Sequence, residues 1–349
     1  MTLNFPTSPS VNDTYTYNGT TFVWDGEKWD ASTPFLVNTA NIVDDAVTGD
    51  KLADDIDIVT TGDVQTASLN GGPLAGFRNQ IINPNFTVQQ RGASFTAPAD
   101  VYTFDRWWMG NAAGRNVGIS SDGPYQNALL ITSNTADNVF LRQGIEIQQG
   151  KCGPFVQNSV WTLSLWSDTP AWDGRFLGVC AFRDAGKMNN SVGQAGVGSA
   201  GAFAATGESA SGMSRYALQI DIGTAQPAAT HGMLCIGLSL PTGGHRISAV
   251  QLEPGPVATP FEHRPIGTEL ALSQRYYYQT GGPIYGSGNA SQAFGVIHPV
   301  TMRAVPTMSV IQVTGVTPTF SDVGTTNVSI LIGAGGTYYS ATYSADAEL

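Results

Sequence analysis

The chain has 349 residues, of which 12% are charged, 41 are glycine and 19 are proline. Sparse charge with abundant turn formers excludes coiled coils and long amphipathic helices and favours many short strands. The net charge of −11 lies mostly at the front, where residues 1–65 hold 11 acids against Lys28 and Lys51 and the rest holds 16 acids against 14 bases; neither part offers the basic face that grips nucleic acid or anionic lipid.

The start, Met1-Thr-Leu-Asn-Phe-Pro6, carries no secretory pattern, and no apolar run approaches a membrane-spanning length, so no membrane insertion is expected. Residues 1–35 predict an antiparallel meander. Thr14 to Tyr17, Thr20 to Trp24 and Lys28-Trp29 are separated by Asn18-Gly19 and Asp25-Gly26, dipeptides that tolerate the positive φ of a type I′ turn. Tyr15, Tyr17, Phe22, Trp24 and Trp29 load this unit with rings, yet so short a module buries too little surface to stand alone and is expected to pack on copies of itself or on a partner. Residues 36–77 form an acidic stem or linker. Ile42, Val43, Val47, Leu52 and Ile56 are spaced among aspartates, a stripe too thin for a monomeric core. Three chains about one axis would bury it; a solvated linker is the alternative.

From 78 to 265, short strands recur at turn-punctuated spacing, which predicts a jelly-roll β-sandwich. Its strands include Phe86 to Gln90, Phe104 to Met109, Ala128 to Ser133, Val139 to Glu146, Val160 to Ser167, Phe176 to Arg183, Arg215 to Ile222, Met233 to Leu240 and Arg246 to Leu252. Ala185 to Gly212, rich in Gly, Ser and Ala, reads as a long loop. A connecting helix follows within 266–280, from Glu269 to Tyr278, with Thr268 as N-cap. Residues 281–349 return to strands in a small C-terminal β module: Ala293 to Ile297, Val300 to Met302, Thr307 to Val313, Val328 to Ile332 and Tyr338 to Tyr343.

Little in this chain points to catalysis. The four histidines, His231, His245, His263 and His298, accompany neither a Gly-x-Ser-x-Gly elbow nor a His-Glu-x-x-His pair. Cys152, Cys180 and Cys235 are too scattered for a zinc site or a disulfide framework, and Cys180 and Cys235 read as buried thiols. Gly196-Val-Gly198-Ser-Ala-Gly201 matches a dinucleotide fingerprint in letters only, since no helix is expected after it. The aspartates from 44 to 57 do not fit a calcium loop. No metal and no cofactor is predicted. Glycoside hydrolysis needs only two carboxylates, which the chain has in plenty without singling out a pair. Sugar binding without hydrolysis draws on rings that stack on C–H faces: Tyr102, Trp107, Trp108, Tyr125 and Trp172 are the candidates, with Trp161 and Trp166 assigned to strands and core. Asp105 with Arg106, and Glu262 with Arg264, are expected to pin the sandwich as ion pairs and strand-end hydrogen bonds, and Arg275 to Tyr278 to pack between the two β modules or between chains.

Several segments carry a resemblance. Asn79-Gln-Ile-Ile-Asn-Pro-Asn-Phe-Thr-Val-Gln-Gln-Arg-Gly92, Tyr102-Thr-Phe-Asp-Arg-Trp-Trp108, Gln251-Leu-Glu-Pro-Gly-Pro-Val-Ala-Thr-Pro-Phe-Glu-His-Arg-Pro265, Glu269-Leu-Ala-Leu-Ser-Gln-Arg-Tyr-Tyr277 and Met302-Arg-Ala-Val-Pro-Thr307 follow in an order that resembles bacteriophage tail-fibre proteins. Phe5 to Gly26 is similar to a short N-terminal module of virion proteins, especially of cyanophages, and Ile42 to Asp55 resembles a fibre stem repeat. The resemblance implies a homotrimeric virion appendage, made in the host cytoplasm. Its N-terminal part would attach to other tail or capsid proteins, and a sandwich like those of carbohydrate-binding modules would meet a host-surface glycan. Alternatives are a structural virion component without receptor activity, such as a head fibre, baseplate or adaptor protein, and a glycan depolymerase.

Overall fold

The computed structural model describes residues 4–31 and, with short interruptions, 76–348. The expected stem, 36–77, lies outside the described residues except for its last two. The chain divides into two compact units, residues 1–65 and 66–349, and no helix among the described residues is long and apolar enough to cross a membrane.

In the first unit β1 (Thr14–Tyr17), β2 (Thr20–Trp24) and β3 (Trp29–Ala31) form the expected meander in the order β1-β2-β3. Asn18 and Gly19 have φ of 49° and 80°, the double positive φ of a type I′ turn. The second turn differs from expectation. Only Gly26 has positive φ, and Asp25 Oδ1 instead accepts the N–H of Glu27 (2.7 Å) and of Lys28 (2.8 Å), an Asx turn that holds its carboxyl below the ordinary value. Phe5 stacks on Trp29 at 5.2 Å between centroids and meets Tyr15 and Phe22 edge-on, so the meander gathers its rings around one local residue.

The second unit begins with the sandwich, whose strands are β4 (Ser94–Thr96), β5 (Val101–Tyr102), β6 (Trp108–Gly110), β7 (Asn116–Gly123), β8 (Gln126–Ile131), β9 (Phe140–Glu146), β10 (Ser159–Ser167), β11 (Leu177–Asp184), β12 (Ala195–Gly196), β13 (Ser199–Ala200), β14 (Ala204–Ala210), β15 (Met213–Ile222), β16 (His231–Ser239) and β17 (His245–Pro254). One sheet runs β13-β15-β10-β17-β8-β7-β4 and the other β12-β11-β16-β9-β6-β5. Consecutive strands from β8 to β11 alternate between the sheets, and the order β8-β17-β10-β15 faces β9-β16-β11-β12, so early and late strands interleave as two Greek keys. The sandwich is a jelly roll, as the sequence predicts. Period-2 alternation fills it: Trp161, Leu163 and Leu165 of β10 share the inner core with Leu234, Ile236 and Leu238 of β16, while Trp166, on the opposite face of β10, packs with Phe261 outside.

Several local expectations are corrected. Phe86 to Gln90 is not a strand, because Phe86 takes φ of 57° in a turn closed by its own N–H on the Asn83 carbonyl. Phe104 to Met109 is a strand only from Trp108, after a tight turn with Arg106 at φ 71°. The long loop contains β14, which pairs along β15, and Gly196 belongs to β12 on the sheet edge. Val300 to Met302 forms no strand.

The helix α1 (Ile266–Gln274) starts at Pro265, which presets its backbone, so Thr268 lies inside it and caps nothing; Glu269 does stand in the first turn. It ends early because the chain is pulled into a sheet. β18 (Tyr277–Gln279) opens a C-terminal module completed by β19 (Ile284–Gly288), β20 (Gln292–Ile297), β21 (Thr307–Thr314), β22 (Thr319–Ser321), β23 (Asn327–Ile332) and β24 (Gly336–Asp346). β24 pairs with β18, β19 and β21, and β23 lies between β20 and β22. Val328, Ile330, Ile332 and Tyr343 form the core of this module.

Candidate functional site

The segments that make this sequence distinctive converge at one edge of the jelly roll. Asn79 donates from Nδ2 to the Val250 carbonyl (3.1 Å), and its Oδ1 accepts the N–H of Ile81 and of Leu252 (both 3.0 Å). Glu262 accepts the N–H of Asn79 (2.7 Å) and of Phe77. Glu253 accepts from Gln251 (2.8 Å), from the Thr259 N–H (2.9 Å) and hydroxyl (2.5 Å), and from Arg78 (3.3 Å). Arg264 bridges Glu269 (2.7 Å) and the carbonyls of Asn79 and Ile81, while the other Glu269 oxygen accepts the Asn83 N–H at 2.8 Å. Asn83 in turn donates to the carbonyls of Val88 (2.9 Å) and Asp105 (3.1 Å). Buried charge is tolerated only when paired and hydrogen-bonded, and each of these carboxylates is. The network is a clasp that ties the start of the sandwich to its end.

The expected pinning role therefore holds, but with other partners. Asp105 meets Gln90, through N–H (2.6 Å) and Nε2 (2.7 Å), instead of Arg106; burial still raises its carboxyl against those donors. Arg106 points instead to Glu348, to the Gly144 carbonyl and to the face of Tyr276, 3.5 Å from its centroid. Arg91 lies 3.7 Å above Tyr277 and pairs with Asp346 (3.0 Å) and Glu348 (3.4 Å). Arg275 binds Glu146 through both carboxylate oxygens (2.9 and 3.0 Å), and the Tyr276 hydroxyl donates to the same group (2.9 Å). Arg275 to Tyr278 thus joins the sandwich to the C-terminal module, one of the two placements expected for it.

Of the candidate sugar-stacking rings, Trp107 and Trp172 are corrected. Trp107 is 1% exposed with its Nε1 fixed on the Asn83 carbonyl (2.8 Å), and Trp172 is tucked by the turn Pro170–Trp172 against Phe203, fully buried. Neither has a face for a ligand. Trp108 is buried on the outer face of the second sheet with Met233, Cys235 and Tyr276, and the Arg142 guanidinium covers it at 5.1 Å. Tyr102 is half-buried beneath Arg91, 5.3 Å away, and burial pushes its hydroxyl well above the usual range. Tyr125 is half-exposed, packed on Phe261 (4.6 Å) and Trp166 (6.3 Å), and it stands next to the site described below. Cys180 and Cys235 are free thiols raised by burial.

Two clefts flank Arg264. The smaller, about 220 Å³, is lined among others by Phe77, Gln80, Gln143, Glu146 and Tyr276. Its polar groups are engaged: Gln143 bonds both N–H (2.8 Å) and carbonyl (2.9 Å) of Ile82, and Glu146 holds Arg275. The larger, about 390 Å³, is lined by Asn85, Thr87, Gln126, Asn127, His263, Arg264 and Ile266. The hairpin from β7 to β8 positions two of its lining residues, Gln126 and Asn127. Gly123 is required there, since a Cβ would lie 2.5 Å from the Asn127 carbonyl, which also accepts the Ser248 hydroxyl at 2.6 Å. Asn85 and Thr87 lie inside the distinctive segment Asn79 to Gly92, though not as ligand candidates; Gln126 and Asn127 carry no signal beyond the Gly123-Pro-Tyr turn before them, because loop amides have no periodicity or fixed spacing.

No known protein family and no curated protein matches the sequence. Among solved structures, the chain is similar to the enzymatically active domain of tailspike protein 4 of bacteriophage CBA120, with 13% identity and a TM-score of 0.28 over 53% of this chain and 22% of that one. At that level the likeness assigns neither fold nor function.

Proposed function

We propose that this chain is a bacteriophage tail fibre, a homotrimeric virion appendage whose β modules bind a host-surface glycan while its N-terminal unit attaches to the particle. The ordered tail-fibre-like segments motivate the virion assignment. One observation favours binding over hydrolysis: the buried carboxylates Asp105, Glu253, Glu262, Glu269 and Glu348 are each committed to donors, so none is poised as a general acid or base, whereas uncommitted amides line the larger cleft. Weak single-site affinity suits such an appendage, because three linked sites make the later contacts intramolecular. The meander, with three rings packed around Phe5, and the acidic stem are the segments through which three chains would assemble.

The test is the mass of the full-length protein in solution together with its retention on host cells and on their purified surface polysaccharide, with reducing-end release followed in the same samples. A trimer that binds without releasing ends supports the proposal. A monomer that binds nothing overturns it in favour of a structural virion component, and release of reducing ends overturns it in favour of a depolymerase.

A further inference from the structure

We infer that the amide-lined cleft beside Arg264 is a subsite for one uncharged sugar ring, a hexose or N-acetylhexosamine unit, an assignment that rests on the glycan-binding proposal and sharpens it. Asn85 is only 6% exposed. Its Nδ2 is spent on the Tyr125 carbonyl (3.0 Å), and its Oδ1 accepts from no described residue and stays accessible as an acceptor in the cleft wall. The side chains of Thr87, Gln126 and Asn127 also make no hydrogen bond within the described residues, so the cleft offers amides and a hydroxyl that both donate and accept. Gln126 is exposed and Thr87 and Asn127 are half-buried, so these groups are hydrated in the cleft, and a ligand of the same mixed donor and acceptor character would take the place of that water.

Backbone strain points to the same place. Gln126 has φ of 82°, a conformation open to glycine and costly for glutamine, held by the pairing of Gly123 with Gln126 across the hairpin. Such outliers concentrate where a side chain serves a ligand. The charge balance narrows the class. No carboxylate lines the cleft, and its one guanidinium, Arg264, is already matched by Glu269. A uronate or sialate would find no unmatched guanidinium or ammonium, only the His263 imidazole, and a cationic amine would find no anion. Ile266, 59% exposed, supplies an apolar wall for the C–H face of a ring.

The experiment uses the full chain and saturation-transfer NMR titrations with maltotriose, chitotriose and trigalacturonate. A neutral trisaccharide is expected to bind in preference to trigalacturonate. Gln126→Gly and Asn127→Ala are each expected to weaken it about 3- to 10-fold, the loss of one or two hydrogen bonds. Gln126→Gly also relieves the positive φ, so its melting midpoint should rise while its affinity falls, a combination that loss of folding cannot produce. Preference for trigalacturonate, or neutral-sugar binding unchanged in both variants, overturns the subsite. If that occurs while the wild-type chain still binds host polysaccharide, the subsite assignment fails and the fibre proposal stands; if the wild type binds no glycan at all, both fall.

Discussion

The two sides of Arg264 differ in how they treat polar groups. On the clasp side nearly every amide and carboxylate from Asn79 to Arg264 is matched to a backbone or side-chain partner, and the residues doing this are the ones that make the sequence distinctive. On the cleft side Asn85, from the same distinctive segment, and Gln126 and Asn127, from ordinary loop sequence, keep groups to spare. Most of the distinctive sequence encodes closure of the fold; of the groups available for recognition, Asn85 and Thr87 lie within it, while Gln126 and Asn127 are residues no pattern would select.

Substitutions can break this contrast in order of severity. Arg264→Ala leaves Glu269 buried without its cation and removes two carbonyl contacts, and is expected to cost about 3 to 5 kcal/mol in urea unfolding. Little change there would mean that the clasp is ornament. Glu348→Ala strips Arg106, 1% exposed, of its carboxylate while Arg91 keeps Asp346; we expect a loss of about 3 kcal/mol, with hydrogen exchange rising first along β24. Uniform exchange across both modules would contradict the role of this joint.

A smaller effect comes with acid. Burial lowers the pKa of His245 below 6.5, against the opposing pull of the Gly243 carbonyl and Asp168. The unfolded chain therefore takes up the proton first. Stability is full above pH 6.5 and falls as pH drops below it toward the folded value, by at most about 1.4 kcal/mol per pH unit for this one group. His245→Asn should flatten that limb of a pH series of urea midpoints. The smallest effect lies in the cleft. Gln126→Gly should stabilise by about 1 kcal/mol as the strained φ becomes a permitted one. If it destabilised instead, the cleft would belong to the folding machinery and the contrast would dissolve.

What the sequence revealed follows the physics of each signal. Alternation in β10, β15, β16 and β17 and the Asn18-Gly19 turn are local patterns, and the strands, the jelly roll and the first hairpin follow from them. Phe86 and Arg106 misled because their aromatic and apolar neighbours look like strand while positive φ folds them into turns. Tyr276 to Tyr278 continue an apolar run that reads as helix, yet the helix ends at Gln274 because pairing of Tyr277 with Asp346 draws them into a sheet. The partners of Asp105 and Arg106 depend on residues far along the chain, Glu348 among them, which adjacency cannot reveal. Trp107 and Trp172 read as platforms by residue type alone; burial, a tertiary property, removes them.

The clasp has a mechanical consequence. Phe77 and Asn79 hydrogen-bond to Glu262, and Gln80 donates to the Leu252 carbonyl at 2.8 Å, so the polypeptide enters and leaves the jelly roll at one point. A pull applied between residues 77 and 265 runs through that short bridge of hydrogen bonds and bypasses the sheets, which hang beside the line of force as a pendant. Tension along the chain would therefore leave the body of the sandwich unloaded until the bridge parts.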